Sequence, residues 1–332
     1  MKRRKFLLKS LIAGTSLAGL DILNVQAAER NSELIKSRKI LMRFGMMADI
    51  HQDIIPNGEE RLKEFIVAMQ SKKPDFIIQL GDFCQPKPAN AGFISIWNQF
   101  DGPKHHVIGN HDTDGGFTFD QVLNFWQSRK AYYSFDYNGY HFLILNANEE
   151  KLTANNKGPT GVISEAQKKW IEEDLASTVL PVVVFCHQGI DNDAGGVYGG
   201  NLIRVIFERA NVNAGFKKVR MVFSGHHHQD YYNIINGIHF VQINSMSYQW
   251  MGEKYAFSHY SADMEKKSPV LKYIAPYADP IWAFVTIYND GTIEIKGKKT
   301  HFVKPTPEEM KRPEFHAGYP DVPYISDRTI RI

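Results

Sequence analysis

The 332-residue sequence predicts one α/β domain with two β-sheets and helices on the outside. Three observations carry that expectation. Between residues 40 and 128, short apolar runs alternate with segments of helical period, as βα units do. Asn138-Gly139, Asn236-Gly237 and Asn289-Asp290-Gly291 each stand between runs rich in β-branched and aromatic residues, and read as hairpin turns. Beyond about Asp230 the helical patterns stop, leaving no room for a separate second domain of ordinary size.

The elements follow in order. Ile40 to Met47 is a near-continuous apolar run that stops at Ala48-Asp49. A helix opens at Asn57 or Gly58 and runs to about Ser71, with Leu62, Phe65, Ile66 and Met69 on one face. Phe76 to Leu80 is a second buried strand, ending at Gly81-Asp82, and a helix follows near Phe93 to Phe100. His105 to Ile108 is a third, short strand, and Asp120 to Ser128 a helix. The hairpin of Tyr132–Tyr137 and Tyr140–Asn146 comes next. Ser164-Glu165-Ala166-Gln167 has the spacing of a capping box and opens a helix to about Ala176. Val182 to Phe185 and Val219 to Phe223 are strands, separated by a glycine-rich loop and a helix from Asn201 to Ala210. Two hairpins close the domain, Asn233–Ile235 with His239–Ile243 and Ala283–Tyr288 with Thr292–Lys296. The domain is expected over residues 40–300, with 301–332 as an extended tail rich in proline and charge.

Composition excludes several classes. At 43% hydrophobic and 23% charged, the chain can bury a sizeable core and is neither disordered nor collagen-like. Two cysteines cannot make a disulfide scaffold, and no run of about 18 apolar residues spans a bilayer. The net charge of +3 is concentrated at the N-terminus, in Lys2, Arg3, Arg4, Lys5 and Lys9. A short apolar stretch, Leu11 to Leu20, and small residues around Ala27-Ala28 follow, the order of an export signal over residues 1–28. Its removal takes five of the 39 basic and one of the 36 acidic residues, so the net charge passes from +3 to −1. A basic excess that would favour nucleic acid is then gone, and no nucleic-acid partner is expected. Ten apolar residues are too few to cross about 30 Å of hydrocarbon, so no stable membrane anchor is expected.

Five predicted strands end in residues able to bind metal: Asp49-Ile50-His51, Gly81-Asp82, Gly109-Asn110-His111-Asp112, His187, and Gly225-His226-His227-His228. In α/β sheets, sites form outside the carboxyl ends of strands, so ligands distant in sequence can meet there. Carboxylate, imidazole and carboxamide without thiolate suit Zn, Fe or Mn rather than a cysteine-rich structural zinc. Seven ligands exceed one tetrahedral site, so two ions sharing a carboxylate is the natural arithmetic. Two metals about 3.5–4 Å apart can clamp a phosphoryl oxygen and lower the pKa of a bridging water, whose hydroxide attacks phosphorus in line. His111, left over from the ligand count, can protonate the leaving alkoxide as general acid. Asp112 has two readings, orienting His111 through its other ring nitrogen or capping a turn. His227 alternates away from its neighbours and is expected outside the ligand set.

This motif set resembles the calcineurin-like metallophosphoesterase family over about Ile40 to Asp230. The resemblance implies a four-layer α-β-β-α sandwich with two packed mixed sheets. It also implies Asp49, His51, Asp82 and His228 on one metal, and Asp82, Asn110, His187 and His226 on the other, with Asp82 bridging. The implied activity is hydrolysis of a small phosphomonoester or phosphodiester. Two departures narrow the branch. Purple acid phosphatases carry a tyrosine ligand where this chain has Gln85, and Asp-x-Gly where it has Asp49-x-His51, so a purple iron centre is not expected. The N-terminal run Arg3-Arg4-Lys5-Phe6-Leu7-Leu8-Lys9 resembles the bacterial twin-arginine signal. It implies the twin-arginine export machinery as a partner and the periplasm or cell envelope as destination. A non-catalytic periplasmic metal-binding or envelope interaction protein with a retained site is the competing class.

Cys84 and Cys186 flank site motifs and are expected as two free, buried thiols, since Cys186 should face away from the ligand His187 beside it. The glycine-rich loop from Asp191 to Gly200 reads either as a cover for the site or as a connector. Tyr248, Trp250, Tyr255, Phe257, His259 and Tyr260 could stack a base or sugar, or simply pack.

Overall fold

The first strand, β1 (Ile40–Met47), shows how the sequence builds the layers. Met42, Phe44 and Met46 point into one apolar cluster and Met47 into another, because successive side chains of a strand leave on opposite faces. A strand buried on both faces has no polar alternation, hence the continuous apolar run. The computed structural model describes residues 38–128, 130–149, 161–192, 195–312 and 319–332. The export-signal residues 1–28 lie outside them.

Two six-stranded mixed sheets form the centre. The first contains β2 (Phe76–Gln79) and β3 (Lys104–His106), parallel to β1. On the other side of β1 it continues antiparallel through β12 (Ala283–Tyr288), β13 (Thr292–Gly297) and β14 (Arg328–Arg331). The second runs β4-β5-β6-β7-β9-β8, built from β4 (Tyr133–Tyr137), β5 (Tyr140–Ile144), β6 (Val182–Cys186), β7 (Val219–Ser224), β8 (Tyr231–Ile235) and β9 (Ile238–Gln242). Strands β5, β6, β7 and β9 are parallel neighbours, and hairpin strands β4 and β8 edge them.

Phenylalanines fill the space between the sheets. Phe44 stacks on Phe76 at 4.8 Å and meets Phe142, Phe185 and Phe223 edge-on at 6.3, 5.9 and 6.2 Å. On the outer face of the first sheet lie α1 (Gly58–Lys72), α2 (Ala91–Trp97) and α3 (Phe119–Trp126), which bury Leu62, Phe65, Met69, Trp97 and Trp126. On the outer face of the second lie α4 (Glu165–Ser177) and α5 (Gly200–Ala214), burying Ile171, Leu175, Ile203 and Phe207. The result is the expected α-β-β-α sandwich. Among the described residues, no helix is long and apolar enough to cross a membrane.

Some elements depart from expectation. The full capping box belongs to α3, where Thr118 and Gln121 satisfy each other's backbone N–H. At α4, Ser164 caps Gln167, but the Gln167 carboxamide turns inward to Asn146 and Glu149. Helices do not stop after residue 230: α6 (Ala262–Lys267), capped by Ser261, lies in the connection between β10 (Tyr248–Trp250) and β11 (Ile274–Pro276), which pair as a two-stranded ribbon. The segment 301–332, expected as an extended tail beyond the domain, ends in β14, which extends the first sheet by pairing with β13. Within β14 Ile330 alone joins the core, too little pattern to mark a strand.

Candidate metal centre

The carboxyl ends of β1, β2, β6 and β7, together with the loop after β3, deliver the candidate ligands to one place. Asp49, His51 and His228 form one group, and Asp82, His187 and His226 a second, with the ligating atoms of each group within 4.8 Å of one another. Asn110 adds its carboxamide oxygen 3.2 Å from His187 Nε2. Asp82 Oδ2 reaches into both groups, 3.6 Å from His51 Nε2 and 3.2 Å from His187 Nε2. Asp49 Oδ1 lies 3.5 Å from His228 Nε2 and 3.9 Å from both His51 and His187. All seven candidate ligands therefore meet.

The backbone is bent to achieve this. Asp49, His51, Asp82, His226 and His228 all have φ between 51° and 74°, a region non-glycine residues seldom occupy. Such strain persists where the surroundings over-determine it, and it concentrates at functional sites. The glycines of the motifs make room. A Cβ on Gly109 would collide with the Asp82 backbone nitrogen and carboxylate, and one on Gly81 with the His187 ring.

Hydrogen bonds behind the ligands aim them. His187 Nδ1 donates to the Leu80 carbonyl at 2.7 Å, and His228 Nδ1 to the Tyr248 carbonyl at 2.9 Å. Each bond leaves Nε2 as the ring atom that faces the centre. His187 Nε2 confronts two oxygen acceptors, from Asp82 and Asn110, and His228 Nε2 lies 3.0 Å from His51 Nε2. Such a gathering of acceptors calls for positive charge, which a proton on His187 supplies without metal and cations would supply when bound. The donor set of carboxylates, imidazoles and a carboxamide oxygen fits two borderline cations. Asp82 Oδ1 accepts the His111 backbone N–H, and both Asp49 oxygens accept that of His226, which fixes the carboxylates.

Protonation follows the same field. Burial pushes the His187 ring down, but the Asp82 and Asp49 carboxylates more than reverse this and raise it to about 9. Burial would raise the Asp82 carboxyl; His187, His111 and His51 outweigh it and hold the group well below the usual range. Burial dominates at His51 and His226, which lie well below the ordinary imidazole value.

His111 stands beside this group with its ring 5.3 Å from His51 and about half of its side chain exposed. The sequence reading that Asp112 orients it is corrected here. Asp112 turns the other way and accepts backbone N–H bonds from Asp82, Phe83 and Gly109 at 3.0, 2.7 and 2.7 Å, tying β2's end to the 109–112 turn. The carboxylate on His111 is Asp114, 2.6 Å from Nδ1. A turn in which the Asp114 N–H donates to the His111 carbonyl brings them together, and i to i+3 spacing was the available signal. Burial lowers the His111 ring, but Asp82 and Asp114 overcome it and raise it to about 9. His227 is outside both ligand groups as expected, with Nδ1 near Gln242 and Tyr231. Both cysteines are free and buried, Cys186 among the outer apolar residues behind His187.

The centre opens into a cleft of about 550 Å³. His111, Asp114 and His51 line one part, and Ile54, Tyr248, Gln249, Trp250 and Val270 another.

The family model of the calcineurin-like phosphoesterases matches residues 42–230, more than half of the chain and all of its candidate ligands. The chain belongs to the calcineurin-like phosphoesterase family. As a calcineurin-like phosphoesterase it is a hydrolase of phosphoric ester bonds, in a family that depends on two metal ions. Solved structures agree on the fold. This calcineurin-like phosphoesterase superposes on a dimetal phosphatase from Danio rerio with a TM-score of 0.58 at 14% identity, covering 81% of this chain and 100% of that one. It is similar also to GAP50, the anchor in the inner membrane complex of Plasmodium, with a TM-score of 0.52 at 15% identity, covering 88% and 89%. No curated protein matches the sequence.

Proposed function

We propose that the protein is an exported binuclear metal phosphoesterase that hydrolyses a small phosphomonoester or phosphodiester, with His111 as general acid. The observation carrying this is the pair of histidines, His187 and His228, whose Nδ1 bonds to backbone carbonyls turn their Nε2 atoms onto the Asp82 and Asp49 carboxylates. Asp49, His51, Asp82 and His228 would hold one ion, and Asp82, Asn110, His187 and His226 the other; Zn, Fe and Mn all suit these donors. When bound, such ions supply Lewis-acid polarisation of the phosphoryl group and a water acidic enough to act as nucleophile. The chain's own residues do the rest. Asp114 fixes the His111 ring, and His111 carries the proton that the departing alkoxide needs. Gly109 lets the loop bearing Asn110 lie against Asp82. The complete ligand set together with His111 favours an enzyme over an idle metal-binding module.

Purified protein loaded with Zn, Fe or Mn should release nitrophenol from mono- or bis-nitrophenyl phosphate, and Asp82→Ala should abolish this. Loaded protein inactive on both esters, with Asp82→Ala no different, would overturn the reading. Residence in the periplasm or envelope after twin-arginine export rests on Arg3-Arg4 and the apolar segment behind them. Replacing both arginines by lysine should leave the protein in the cytoplasmic fraction; continued export would sink that part.

A further inference from the structure

The cleft beside the metal centre has one apolar, aromatic wall and no lysine or arginine among its described lining residues. Trp250 forms part of that wall and is 42% exposed, so its indole is open to the cleft's contents. Its backbone is held rather than loose. β10 pairs with β11 in the register Trp250↔Ile274, the Arg312 guanidinium donates to the Trp250 carbonyl, and the indole meets Tyr273 edge-on at 6.2 Å. Ile54 and Val270 continue the apolar lining.

Resting on the phosphoesterase reading, we infer that the substrate carries a single phosphoryl group and an uncharged aromatic leaving group, which stacks on Trp250. The phosphoryl group belongs over the metal ligands, and the ester oxygen toward His111. The aromatic group then has the Trp250 wall as its apolar boundary, and a rigid indole loses little entropy on stacking. A second phosphate would meet no lysine or arginine on the cleft lining, and the Asp114 carboxylate there would repel it. An aromatic ring in a benzyl-like alcohol or a nucleoside meets this description.

The test compares benzyl phosphate with butyl phosphate, whose leaving alcohols are similar in acidity, so that the ratio reads binding rather than leaving-group reactivity. Metal-loaded wild type should favour benzyl phosphate in kcat/KM by about tenfold. Trp250→Ala should bring the ratio near one, and Trp250→Phe should retain most of it. A wild-type ratio near one, or one unaltered in Trp250→Ala, overturns the inference. If no ester is turned over, the hydrolase reading falls by itself, and calorimetry still decides the wall. Benzylphosphonate should then bind metal-loaded protein about tenfold more tightly than butylphosphonate, and equally to Trp250→Ala. Equal binding of the two by wild type refutes it.

Discussion

His111 Nδ1 and Asp114 Oδ2 lie 2.6 Å apart, across a single turn at the mouth of the cleft. Asp114 is one of the groups that raise the His111 ring to about 9, so it keeps the proton on the imidazole at neutral pH. Removing its charge moves the His111 pKa down. Asp114→Asn should therefore shift the alkaline limb of the kcat/KM profile to lower pH and reduce activity by about ten- to a hundredfold. His111→Ala should cost about 10²–10⁴-fold, more for alkyl than for nitrophenyl esters, because a good leaving group needs no acid. Rate profiles for both ester types check this.

Asp82 touches both ligand groups, so its loss should not remove only one ion cleanly. Asp82→Ala should lower the metal content for both positions and activity by at least about a hundredfold. Elemental analysis beside turnover measures it. One ion retained at full occupancy would show that Asp82 does not bridge.

Gly109 sits against the Asp82 backbone nitrogen, so even one methyl group has nowhere to go. Gly109→Ala should destabilise the protein by about 1–3 kcal/mol, through displacement of the loop bearing Asn110 and His111. Thermal unfolding reads the stability and metal titration the displacement.

Far from the centre, His141 is clasped by Asp136 at Nδ1 and Asp174 at Nε2, each at 2.6 Å. Burial lowers its pKa, but these two carboxylates raise it above the ordinary value. A histidine raised in the folded state contributes stability that is fully present below about pH 6.5, its unfolded value. That contribution is lost as pH rises through the folded value. His141→Asn should lower Tm by a few degrees at pH 6 and by less at pH 9. An equal loss at both values would mean that packing, not charge, is what His141 supplies.

Burial raises both thiols, Cys84 well above its ordinary range and Cys186 to about 12. Native unreduced protein should therefore take up no alkylating reagent, and unfolded unreduced protein should take up two equivalents by mass. No uptake by unfolded protein until a reductant is added would indicate a disulfide.

How much was legible depended on how local the signal was. Buried parallel strands are apolar throughout and end abruptly, so Asp49, Asp82 and His187 announced themselves as residues following such runs. Geometry alone could not choose between Asp112 and Asp114 as the partner of His111, since both lie within one turn of it. The choice is made by the backbone: Asp112 is consumed by the N–H groups of Asp82, Phe83 and Gly109, which come from distant sequence. The β10–β11 ribbon was hidden for a similar reason. Three-residue strands hold too few alternations to register, and Trp250 reads as ordinary until Arg312, from 62 residues on, fixes it.

The register of β1 against β12 has a consequence in time. Ile40 pairs with Tyr288 and Met46 with Ala283, so the strand that carries Asp49 is completed by a segment near the far end of the chain. Closing so long a loop is entropically slow, and pairings of this kind dominate folding times. A chain emerging from the ribosome can pair β1 with β2 early, yet the other edge of β1 stays open until residues 283–288 have emerged. The strand that carries Asp49 is thus the seam between the first-made and the last-made parts of its sheet.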